Sequence, residues 1–163
     1  MDKKNTAFLA GALFSLVALL FTGCTVKPEN VASPSVKIDF AIQDNKEVYT
    51  VHFSGGIRNE NNSVAFTNMK GTIRLIDPET KKVVDSFPFE VPVILPFDTG
   101  ILDLQVTRTD TEIGPLLDLL KINREQLVSE GSSSGNFIEE NDLVLADLVY
   151  EKKNIITLLQ EKK

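Results

Sequence analysis

Between Val83 and Phe97 the chain places Val83, Phe87, Phe89, Val91, Val93, Leu95 and Phe97 on one parity, with Pro88, Pro92 and Pro96 on the other. Alternate residues of a strand point to opposite faces, so this run predicts an extended strand with one buried face. Residues of one parity also direct their backbone groups to the same lateral edge, and proline has no N–H to offer there. That edge cannot pair with a neighbour, and the run must lie at the border of a sheet. The prolines also keep a second chain from adding to it. Their spacing of four does not suit a polyproline ligand, which repeats about every three residues.

The runs on either side follow the same period. Val36, Ile38, Phe40 and Ile42 share one face, and Asp44-Asn45-Lys46 turns the chain into a strand with Tyr49, Val51, Phe53 and Ile57 inward and Thr50, His52 and Ser54 outward. Gly55-Gly56 is expected to mark a bulge. Asn59–Ser63 reads as a polar loop and Lys70–Ile76 as a strand, and Asp77-Pro78-Glu79-Thr80 carries the signature of a type I turn. After a strand with Leu102, Leu104 and Val106 inward, the period changes. Ile113, Leu116, Leu117 and Leu120 stand at i, i+3, i+4 and i+7, which predicts a helix over 111–121 capped by Asp110 or Thr111. A second helix is expected over 123–130, where Asn123 and Gln126 suggest a capping box. Gly131–Asn136 reads as a flexible loop. Segments 143–150 and 155–159 read as a closing hairpin, with a terminal helix as the alternative for the latter. The expected fold is mainly β, an immunoglobulin/fibronectin-like antiparallel sandwich of seven strands with one or two short helices inserted before the last strands.

The N-terminus addresses the chain. Lys3 and Lys4 precede an uncharged segment from Asn5 to Cys24, whose apolar core has the length of a signal-peptide region and falls short of the ~20 residues of a membrane span. It ends in Leu20-Phe21-Thr22-Gly23-Cys24, which resembles the bacterial lipobox. That resemblance implies cleavage between Gly23 and Cys24 and acylation of Cys24, the only cysteine. Several acyl chains on one cysteine would anchor a protein durably, where a single chain binds only marginally. Thr25 after the cysteine resembles an outer-membrane sorting signal. The expected organisation is therefore residues 1–23 as signal peptide, 24–35 as lipidated cysteine and flexible tether, and 36–163 as one domain. The expected location is the bacterial cell envelope, on the outer membrane facing the periplasm.

Composition narrows the chemistry. Of 163 residues 42% are hydrophobic and 25% charged, an ordinary balance for one globular domain, and a single His and single Cys do not suffice for disulfide frameworks or clustered zinc sites. A net charge of −6 argues against nucleic acid, and removal of Lys3 and Lys4 with the signal peptide makes the chain more acidic, so attraction to anionic headgroups is not expected. Gly131-Ser132-Ser133-Ser134-Gly135 matches the nucleophile-elbow pattern literally but has no histidine after it. Glu139-Glu140-Asn141-Asp142 lacks the spacing that wraps a calcium ion. Gly55-Gly56 has no phosphate-loop lysine. No catalytic residue, metal or cofactor is expected. His52, Arg58, Arg74 and Arg108 are candidates for surface recognition.

With strands and helices placed, the order resembles the type 2 late-embryogenesis-abundant, or water-stress and hypersensitive-response, β-sandwich. The resemblance spans about 36–122 and rests on Ile57-Arg58-Asn59-Glu60-Asn61, where that family often has Asn-Pro-Asn, on Gly71–Ile76, and on Pro115-Leu-Leu-Asp-Leu-Leu120. Glu60 stands where the family's proline would be. The resemblance implies a packing or binding role without catalytic residues. The expected function is thus a lipid-anchored envelope protein with a noncatalytic domain for protein interaction or structural support, bound to the bilayer through Cys24 and to an envelope protein partner. The alternative is a carrier or sensor of a small lipophilic ligand, which would need a cavity of at least ~300 Å³ lined by Phe87, Phe89, Leu116 and Leu120.

Overall fold

Alternating runs joined by short turns pair with their sequence neighbours, and the computed structural model, which describes residues 26–28 and 30–160, shows two antiparallel sheets stacked as a sandwich. The elements are β1 (Val31–Gln43), β2 (Lys46–Arg58), β3 (Val64–Ile76), β4 (Val83–Ile94), β5 (Thr99–Thr109), α1 (Asp110–Leu120), α2 (Arg124–Glu130), β6 (Asn136–Phe137), β7 (Leu143–Asn154) and α3 (Ile155–Gln160). One sheet has the order β5-β2-β1-β6 and the other β4-β3-β7. Asp44 and Asn45, both at positive φ, make the tight β1–β2 turn. In the β3–β4 turn the Asp77 carboxylate accepts the N–H groups of Glu79 and Thr80 at 2.8 and 3.1 Å.

The proline-bearing strand β4 is outermost in its sheet, as its missing donors require. Its parity holds through Phe87, Phe89 and Val91, all buried, and then breaks: Ile94 is buried while Val93, Leu95 and Phe97 are exposed. The break has a backbone cause. The strand ends at Ile94, and Leu95–Asp98 is a turn closed by Asp98 N–H on the Leu95 carbonyl at 3.1 Å, with Pro96 second and Phe97 third at φ 58°. Ile94 swings into the core over Gly100, where any Cβ would come within 2.6 Å of Ile94 Cδ1.

Four other expectations are corrected. β1 begins at Val31 rather than Val36, inside the segment expected as a tether. The bulge lies on β1, between Ala32 and Ser35, and not on β2, whose glycines stay in register with β5. Gly55 faces this bulge because a Cβ there would meet Val31 Cγ1 at 2.8 Å. Ile42, expected inward, is exposed at the far tip of the β1–β2 hairpin. Segment 155–159 is part of helix α3, following one long strand β7 rather than returning as a hairpin partner, and the two-residue β6 brings the strand number to seven.

The helices largely follow the periodicity. Ile113, Leu116 and Leu117 of α1 are buried, but the cap is Thr109, whose N–H and hydroxyl both donate to Glu112 Oε2 at 2.9 and 2.8 Å. Asn123 caps α2 by accepting the Gln126 N–H at 3.0 Å, and Gly131 at φ 78° ends it. Arg124 ties α2 to the sheet, donating to Glu47 Oε2 at 2.5 Å and Tyr49 Oη at 3.1 Å, and reaching Asp110 of α1.

Tyr49, Val51, Phe53, Phe66, Met69, Ile73 and Phe87 form the centre of the core, with the Phe53 and Phe87 rings 5.1 Å apart across the sheets. At the β1–β2 turn end the core is closed by an ion pair between the sheets. Arg108 of β5 donates through Nε at 3.0 Å and Nη2 at 2.5 Å to Asp85 Oδ1 of β4, and through Nη2 to the Ser86 carbonyl at 3.2 Å. Removing one partner strands the other beneath the surface. Asp85→Ala is expected to lower stability by about 3 kcal/mol in urea unfolding, while the paired Asp85→Leu, Arg108→Met variant recovers most of that loss.

Candidate functional site

The end of the sandwich opposite the Arg108–Asp85 pair is organised around two asparagines in the loop after β2. Asn59 is fully buried, and its Nδ2 donates to the carbonyls of Val64, Ile94 and Leu95 at 2.9, 3.0 and 3.1 Å. Its N–H donates to the Asp98 carbonyl at 2.9 Å. One side chain thus joins the end of β2 to the start of β3 and the end of β4. Its Oδ1 accepts from Asn61 N–H at 3.1 Å and Asn61 Nδ2 at 2.8 Å, which orients the second amide. Asn61, 6% exposed, then grips the N-terminal segment: Oδ1 accepts the Val26 N–H at 2.8 Å and Nδ2 donates to the Val26 carbonyl at 3.0 Å. Nearby, the Ser63 carbonyl accepts the N–H of Ile155, the first residue of α3. The polar loop expected at 59–63 exposes Glu60, Asn62 and Ser63 but buries Asn59 and Asn61 as a junction. Its sequence signal was the Asn59-Glu60-Asn61 spacing on which the family resemblance partly rests.

Cys24 and Gly23, the expected lipidation and cleavage residues, lie outside the described residues. The candidates for surface recognition do not converge. His52 Nε2 lies 2.9 Å from Asp39, which also holds Lys37 at 2.8 Å. Arg58 faces Glu60 at 4.0 Å, Arg74 holds Asp147 at 2.7 Å, and Arg108 belongs to the core-closing pair. Each of these side chains has a carboxylate neighbour within the chain.

The serine segment is not the free loop expected. Phe40 N–H donates to the Gly131 carbonyl at 2.8 Å, Ser133 N–H to the Ile38 carbonyl at 2.8 Å, and Ile38 N–H to Ser133 Oγ at 2.9 Å. Together with β6 it satisfies the open edge of β1. Between it and α2 lies a cleft of about 180 Å³ bordered by Lys121, Gln126, Glu130, Ser132 and Asn136. Of the residues expected to line a ligand cavity, Phe87 and Leu116 are fully buried, Phe89 nearly so and Leu120 partly. Glu140–Asp142 form a short 3-10 turn, and among the described residues no group of three His, Cys, Asp or Glu converges as a metal site. Set beside known proteins, the chain matches no family model, and no curated protein or solved structure matches it significantly.

Several carboxylates are held below their ordinary range by hydrogen bonds that exist only in the fold. The Lys37 ammonium bonded to Asp39 lowers that carboxyl from its usual 3.8, and Glu47 falls below 4.5 through the Tyr49 hydroxyl and Arg124. Asp77 is lowered by the Thr80 and Glu79 backbone, and Glu112 by the Thr109 backbone.

Asn59→Ala leaves buried carbonyls without donors and should cost about 3 kcal/mol. Asn61→Ala should cost less, and should speed hydrogen exchange selectively at Val26 and its neighbours. The lowered carboxylates bind protons more tightly in the unfolded chain than in the fold, so their contribution is complete above the unfolded values of 3.8 and 4.5 and is lost as pH falls through the lower folded values. Thermal midpoints across an acid titration should stay level above pH of about 5 and drop below pH of about 4.

Proposed function

We propose that this chain is a lipid-anchored protein of the bacterial envelope, acylated at Cys24, whose β-sandwich serves noncatalytically in protein interaction or structural support. The observation that carries the reading is the position of the chain's only cysteine, directly after Leu20-Phe21-Thr22-Gly23 and a short apolar segment preceded by Lys3 and Lys4. A thiol at that place can take a thioether-linked diacylglycerol, and the small Thr22 and Gly23 admit a peptidase to the backbone. The fold is compatible with such an anchor. Val26, two residues beyond Cys24, is bound to the domain through both its backbone groups, so a pull on the anchor is borne by the Asn61–Asn59 junction.

The outer membrane facing the periplasm is the favoured location, on the strength of Thr25. The interaction role is supported by the exposed apolar side chains of the domain, among them Phe97, Ile156 and Leu159.

The test is the full chain in bacterial cells beside Cys24→Ala. The wild type should enter the detergent phase on cloud-point partition and carry a diacylglycerol-modified Cys24 as its first residue by mass spectrometry. The Cys24→Ala chain should keep its precursor mass. A wild-type chain that stays unprocessed overturns the anchor. Crosslinking in the same cells should capture a stoichiometric protein partner that the Cys24→Ala chain loses, whereas co-purifying lipophilic ligand without a partner overturns the interaction role in favour of a carrier.

A further inference from the structure

The end of the sandwich that holds Val26 also gathers exposed apolar side chains. Phe97 is 71% exposed at the tip of the β4–β5 turn, flanked by Leu95 at 40%. Ile156 and Leu159, one helical turn apart on α3, are 65% and 61% exposed, and Val26, held by Asn61, is half-exposed. Hydrogen bonds place these groups together: Asn59 joins the Leu95–Asp98 turn to the 59–63 loop, Asn61 joins that loop to Val26, and Ser63 joins it to Ile155. Val26 lies two residues along the chain from Cys24.

Phe97 is the most telling of them. It sits at φ 58°, a left-handed conformation that bulky residues seldom adopt and that glycine or asparagine would fill more easily. Burial does not account for the choice, because the ring faces outward. Helix α3 has the composition Ile-Ile-Thr-Leu-Leu-Gln; Ile155 and Leu158 turn partly inward and leave Ile156 and Leu159 without cover. Charge does not oppose an apolar neighbour here either. Among the described residues, Lys27, Arg58, Lys152 and Lys153 stand at this end against Glu60, Asp98 and Glu151. The acidity of the whole chain is therefore not concentrated on it.

We infer that this end of the domain rests on the bilayer, with Phe97, Ile156 and Leu159 inserted at the boundary between headgroups and acyl chains. The inference depends on acylation of Cys24 as proposed above. Two residues from Cys24 to Val26 span at most about 7 Å, so an acylated Cys24 holds the Val26 end at the headgroups and leaves no tether for free tumbling. The occupant that this short reach brings to the apolar rim is the lipid surface itself. Side chains at such an interface settle about 5–10 Å into it. With 13-residue strands rising about 3.3 Å per residue, the β1–β2 and β3–β4 turns then stand up to about 40 Å from the membrane. That directs the far end toward partners.

The chain has no tryptophan, so one substitution supplies a unique reporter. The full chain carrying Phe97→Trp, and separately Ile42→Trp at the opposite end, would be produced with its lipid, purified in detergent and reconstituted into phosphatidylethanolamine and phosphatidylglycerol vesicles with or without bromine-labelled acyl chains. Both positions are exposed, so neither change disturbs the core. The expected result is co-flotation of both variants, with blue-shifted emission and loss of most of its intensity to bromolipid for F97W and neither effect for I42W. Co-flotation with F97W no more quenched than I42W overturns the bilayer contact while leaving the anchor standing, and leaves the rim to a protein partner. Equal strong quenching of both overturns the end-on orientation. Failure of the wild type to float removes the anchor, and the inference with it.

Discussion

The buried amide of Asn59 is the constraint on which this molecule's working end depends. Its nitrogen serves carbonyls of β3, β4 and the turn beyond β4, and its oxygen serves the next asparagine. Carbonyls at the ends of strands have no ladder partner, and buried in apolar surroundings they need a donor. The two N–H bonds of one amide, one of them shared, answer three of them and lock together this end of two sheets whose opposite end is held by the Arg108–Asp85 pair. From that lock follow the position of the Phe97 turn, the seat of α3 and, through Asn61, the hold on the segment leading to Cys24.

Open strand edges are managed in two different ways. β4 carries its protection in its own covalent structure, since proline cannot donate. β1 does not, and its edge is covered by 131–137, where the backbone and the Ser133 hydroxyl bond along it. Small polar residues suit this task because they can follow a bulged, irregular edge without bringing bulk to it. Gly131 and Ser133 of the Gly-Ser-Ser-Ser-Gly segment make those bonds.

Much of the architecture could be read from side-chain period. The inward faces of β2, β4 and α1 were legible at Phe53, Phe87 and Leu116 because a period of two or 3.6 repeats what burial selects. Reading failed where the period ends. Phe97 and Ile42 share the parity of core residues yet lie in or beside turns, outside the overlap of the sheets. Asn59 and Asn61 looked like solvated loop residues because polarity alone does not distinguish a side chain facing water from one facing unpaired carbonyls. Arg108 looked like a surface cation because its partner Asp85 is distant in sequence.

By itself, the sequence determined the strand alternation, the border position of β4, the helical stripe of α1 and the placement of the lone cysteine after its apolar segment. These are local properties, set by side-chain period and by the missing N–H of proline. Only the tertiary structure decided that Val26 is tied to Asn61, that segment 155–160 is a helix, and that Phe97, Ile156 and Leu159 share one end of the sandwich. Those outcomes depend on which distant backbone groups remain unpaired once the sheets stack, and no local pattern encodes that.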